Sequence, residues 1–160
     1  TVYEYFENKE DIIFEIINIH IEEYHTEFLE SIKNVESTKE KLLHFFRFVI
    51  DDSPETLEHL NGYKDYLSIV LSDENEAMKE FNTSCDQFFT HQLTIVINDG
   101  IKNGELIAES QKLINGLMCF EKGMALMKMT KNDFDAKMIC EEFINTLFEI
   151  IEVKNDTRKI

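Results

Sequence analysis

Glu22 and His25 stand three residues apart, the spacing at which one helical face offers a carboxylate and an imidazole to one metal ion. A di-metal helical bundle needs that pair twice, with further glutamates on facing helices. None of the other histidines, His20, His44, His59 and His91, has a glutamate three positions earlier. Cys85, Cys119 and Cys140 are odd in number, widely spaced and free of any CxxC. Neither a disulfide framework nor a thiolate zinc site is implied. Such usage fits reduced thiols in a cytoplasmic protein. No local motif pairs a cysteine with a histidine as a nucleophile, and no phosphate-cradling GxGxxG loop occurs. The expectation is a protein that is not an enzyme and holds neither metal nor cofactor.

Binding is the better use of these side chains. The chain of 160 residues holds thirteen Phe and five Tyr. A ligand site needs apolar walls and a few polar groups that orient the ligand. Tyr24, Phe46, Tyr63, Tyr66, Phe81, Phe88 and Phe89, with Cys85, Gln92 and Cys119, could supply both for a small apolar or aromatic molecule. Any one of these rings reads first as core. The formal charge of −16 repels phosphate, so this body binds nucleic acid poorly by itself. A solvated acidic surface is the plain reading of that charge; an acidic pocket for cationic ligands is the sharper one. No apolar run reaches membrane-span length and no signal-peptide pattern opens the chain.

One proline and five glycines argue for helices rather than turn-rich β structure. The length suits one domain with a sizeable core. Apolar residues recur at helical spacing from Lys9 to about Lys33. Ser37 and Glu40 form a capping box opening a second helix to about Asp51. Ser53 followed by Pro54 restarts the chain as a third helix, which Gly62 could kink or split. Asp73 and Glu76 suggest a capped start to a fourth helix, ended by Gly100 and Gly104. Its segment from Leu93 to Ile97 is β-branched, but the three-to-four spacing continues through it, which predicts helix. A further helix runs from Ser110 to about Met129. Its Gly116 and Gly123, on one strip with Cys119, suggest close approach of another backbone or a ligand. The last helix, capped by Asn132, runs to about Val153 with an apolar face too wide for one neighbour.

The opening residues are the sharpest signal. Tyr3 and Phe6 share a helical face, Asn8 can cap a new helix, and Asp11 sits at its third position. Lys9 lies in the first turn, where the helix macrodipole disfavours a cation unless an outside anion faces it. This run resembles the end of the helix-turn-helix head of TetR-family transcriptional regulators. Thr1, Val2, Tyr3, Tyr5, Phe6, Lys9, Glu10 and Ile12 all fall on that pattern. The earlier head helices are not in this sequence, which is therefore read as part of a longer protein.

The resemblance implies an all-α, TetR-like C-terminal helical bundle whose last two helices pair with their copies as a dimeric four-helix bundle. Residues 1–8 would be the remnant of the DNA-binding head, 9–153 the effector-binding and dimerisation body, and 154–160 a tail. Leu117, Met124, Phe143, Leu147 and Ile151 would line the homodimer interface; burial inside a monomer is the alternative. Thr1, Tyr3 and Lys9 would contact operator phosphates in the complete protein. A small apolar or aromatic effector would enter the middle helices, displace the helix that starts at Lys9 and lower operator affinity. The competing reading is a ferritin-like helical metal-binding protein or enzyme.

Overall fold

A computed structural model describes residues 5–72 and 75–154. The expected contacts Thr1 and Tyr3, and the expected cap Asp73, lie outside the described residues. Among the described residues seven α-helices follow one another: α1 (Lys9–Ile32), α2 (Thr38–Phe45), α3 (Arg47–Ile50), α4 (Pro54–Leu71), α5 (Glu76–Lys102), α6 (Ile114–Thr130) and α7 (Ala136–Ile151). A 3₁₀ turn, Ala108–Leu113, leads into α6. Among the described residues there is no strand beyond one isolated antiparallel bridge, Leu106 with Glu152. The chain is all-α.

Local chemistry explains the helix starts. The Asn8 side chain accepts from the Asp11 amide at 2.9 Å, and the Asp11 carboxylate accepts from the Glu7 amide at 3.1 Å. Ser37 caps α2 and Ser53 caps α4, with Pro54 in the first turn where its missing N–H costs nothing. Asn75 accepts from the Met78 amide and so caps α5. The last helix is capped by Asp135, which accepts from the Met138 amide at 2.9 Å, and not by Asn132. Residues 132–134 complete a turn first.

Two further expected features differ. The helix predicted from Ser37 to Asp51 breaks at Phe46, whose backbone sits at φ −86, ψ 6. Phe45 and Phe46 are both buried, their rings edge to face at 5.5 Å. Adjacent helical residues point about 100° apart, so the break lets both rings reach the core. Gly62 does not split α4, which runs unbroken through it.

The chain divides into two compact units. The first comprises the chain up to Lys33 together with Asp52–Phe88, and holds α1, α4 and the first part of α5. Its core gathers on Ile17, Tyr66 and Met78, with Ile13, Ile21, Leu67 and Val70 against them.

The second unit comprises Asn34–Asp51 and the chain from Phe89 on. Leu42, Phe46, Val49, Leu93, Ile97, Cys140, Ile144 and Phe148 are buried in it. There α5 ends at Gly104, whose φ of +79 is the left-handed closure that glycine adopts freely. The following segment is stitched to the end of α7, Ile107 donating to the Ile151 carbonyl and Val153 to that of Glu105. Gly100 permits close packing: a Cβ there would stand 2.6 Å from the Thr38 hydroxyl oxygen. From α6, Lys128 donates to the Val49 and Asp51 carbonyls at the C-terminal end of α3, where a cation is favoured.

Candidate functional site

The first unit holds six of the ten expected binding residues, and Tyr63, Tyr66 and Phe81 meet in it. On α4, Tyr66 is only 2 % exposed, and its hydroxyl donates to the Asn82 side-chain oxygen on α5 at 3.0 Å. The Asn82 amide nitrogen in turn donates to the Asp86 carboxylate one helical turn on, at 3.4 Å. A polar thread therefore runs from a buried phenol to a carboxylate. Burial pushes the Tyr66 hydroxyl well above its ordinary range, with Cys85, Tyr63 and Asp86 adding to the rise. It stays a neutral donor at physiological pH.

Aromatic rings surround the head of that thread. Phe81 meets Tyr66 edge to face at 6.2 Å, and Phe14 of α1 lies against Phe81 at 4.1 Å. Tyr63 stands one turn before Tyr66, with their ring centres 5.9 Å apart. Ring faces carry negative electrostatic potential, so such a group can hold apolar surface or an organic cation without covalent chemistry. Further along α5, Phe88 receives His25 of α1 edge to face at 4.6 Å. His20 and His59 face each other at 4.1 Å, with the Glu23 carboxylate 3.4 Å from the His20 Nδ1.

The ten expected ligand-binding residues divide between the units. Tyr24, Tyr63, Tyr66, Phe81, Cys85 and Phe88 belong to the first; Phe46, Phe89, Gln92 and Cys119 belong to the second. Phe46 is fully buried, edge to face with Phe120 at 5.6 Å, whereas Cys119 is exposed on α6. Sequence reasoning passed over Phe14, Asn82 and Asp86. The four-residue spacing of Asn82 and Asp86 on a helix was the available signal. The Glu22 and His25 pair does not form a shared site: Glu22 is exposed, and the His25 ring packs on Phe88. Among the described residues, no group of three or more His, Cys, Asp or Glu side chains is placed to hold a metal ion.

The surface of α6 and α7 is a second candidate. Leu117, Met124 and Ile151 are buried in the chain itself, while Leu147 is half-buried and Phe143 is 40 % exposed. Phe143 stacks on Phe120 at 4.1 Å. Exposed beside them are Leu126 at 54 % and Ile150 at 70 %. A Cβ added at Gly116 or Gly123 would meet nothing within 4 Å. The remaining expected contact, Lys9, is exposed in the first turn of α1. No described helix is long and apolar enough to cross a membrane.

No protein-family model and no curated protein sequence matches the chain. Its fold is similar to the crystal structure of a candidate transcriptional regulator from Saccharomonospora viridis in complex with choline. The match has a TM-score of 0.80 at 13 % identity and covers 96 % of this chain and 80 % of that one.

Proposed function

We propose that this chain is the effector-binding and dimerisation body of a ligand-responsive transcriptional repressor of the TetR type. The observation that carries the reading is the fold, similar over 96 % of the chain to a candidate regulator. The joint from Tyr5 to Ile12 supports it from the sequence side. The Tyr66, Asn82 and Asp86 thread among the rings of Phe14, Phe81 and Tyr63 supplies a place for the effector. A small organic cation suits it: ring faces attract the charge, a carboxylate stands at the end of the thread, and the similar regulator was crystallised with choline.

In this reading the effector shifts α1, which leads from the DNA-binding head into the body. A ligand can do so only if it binds the released state more tightly than the DNA-bound one. Lys9, with Thr1 and Tyr3, contacts operator phosphate in the complete protein. The second copy covers α6 and α7, where Phe143, Leu147, Leu126 and Ile150 offer apolar surface beside the open Gly116 and Gly123.

Calorimetric titration with choline chloride tests the ligand half. One saturable site is expected, weakened about tenfold by Asp86→Asn, the equivalent of ~1.4 kcal/mol, and unchanged by Cys119→Ser. Saturable binding indifferent to Asp86→Asn would move the site elsewhere. Absence of binding would remove the cation assignment.

A further inference from the structure

We propose that Phe14 is an internal plug of the effector site: in the free protein its ring covers the aromatic face that the effector takes, and binding turns it out and moves α1. The inference rests on the effector reading above and names the contact through which that site is regulated. The Phe14 ring lies 4.1 Å from that of Phe81, tilted by 41°, and Phe81 meets Tyr66 edge to face at 6.2 Å. Through Phe14, α1 therefore touches the ring group assembled from α4 and α5. The rings are not held alike. Tyr66 is 2 % exposed and bonded through its hydroxyl to Asn82. Phe14 is 36 % exposed, and a phenyl group has no polar atom to fix it in place. The buried residues of α1 are Ile17 and Phe28, so the helix is seated by side chains other than Phe14.

Another ring and an organic cation are drawn to the same aromatic surface, so Phe14 and the effector compete for Phe81. While Phe14 is seated the site is closed to the ligand, and the apparent affinity is lowered by the fraction of molecules in which the ring is out. Phe14 stands five residues beyond Lys9, about 7.5 Å along an unbroken helix, so its displacement acts close to the end of α1 that leads to the DNA-binding head in the proposed reading. Removing the ring then has the opposite sign to removing an ordinary lining residue. Binding strengthens, and regulation weakens.

The choline chloride titration reads the first effect: Phe14→Ala should bind about threefold more tightly than the wild type. In the complete protein, the same variant should bind a selected operator more weakly without choline. Saturating choline should then lower its operator affinity by a smaller factor than in the wild type, as linkage requires. Phe14→Tyr keeps the ring and should restore both readings. Phe14→Leu, a milder truncation, should move both in the direction of alanine and carries the test if the alanine variant fails to fold. Choline binding that is unchanged or weaker in the truncated variants, or release that is undiminished, would overturn the plug while leaving the effector reading standing. If the wild type does not bind choline, the inference and the cation assignment fall together.

Discussion

Thr38 and Ser110 are the polar side chains buried in the described core, and they predict opposite sensitivities. The Thr38 amide donates to the Glu105 carboxylate at 2.9 Å, so Glu105→Ala strands a part-buried donor. Its expected cost is about 1–3 kcal/mol in urea unfolding. The Ser110 hydroxyl oxygen has no hydrogen-bond partner among the described residues, so Ser110→Ala should be neutral or stabilising. A loss above ~1 kcal/mol there would reveal a partner for that hydroxyl. Cys140 carries a pH prediction. Burial, with Glu141 adding, pushes its thiol from 9.0 up to about 12. Between those values the unfolded chain releases a proton that the folded chain keeps. Stability from this group is therefore whole below pH 9 and declines as pH rises through that window. Tyr66 acts in the same direction above pH 10. The fall in unfolding free energy from pH 9 to 10.5 should be shallower in Cys140→Ala than in the wild type. Parallel slopes would contradict the shift. At this scale the sequence marked Tyr63, Tyr66 and Phe81. It could not mark Asp86, because its link to Tyr66 through Asn82 depends on which helix faces it.

Helices were legible where a side-chain cap opens them; α3 and α6 have none. Asn8, Ser37 and Ser53 cap the elements their spacing predicts. Failures came where packing decides. The break at Phe46 answers two buried rings in succession, and Asp135 replaces Asn132 because residues 132–134 first complete a turn. The glycines of α6 give an element-scale prediction with opposed signs. In a lone chain, Gly123→Ala meets open space and should stabilise the helix by about 0.5–1 kcal/mol. Where a second copy packs on that strip, the same methyl pushes the helices apart. The account expects Gly123→Ala to weaken the dimer severalfold in sedimentation equilibrium, and Gly62→Ala, equally open but on α4, to leave it unchanged. A wild type that sediments as a monomer would remove the interface altogether.

On the scale of the whole molecule, charge and connectivity constrain function more than any single contact. A body carrying −16 repels phosphate, so under the proposed reading any influence on an operator passes through the elements it positions. Helix periodicity is local, and nothing in it marked the division of the chain between α1 with α4 and the elements around α7. The reading as a regulator is tested most directly by selecting binding sites for the complete protein from a random DNA pool and measuring affinity for the winner with and without effector. The account predicts an enriched two-fold symmetric sequence bound by a dimer and released as the ammonium ligand saturates the first unit. No enriched sequence, or affinity unmoved at saturating ligand, would contradict it.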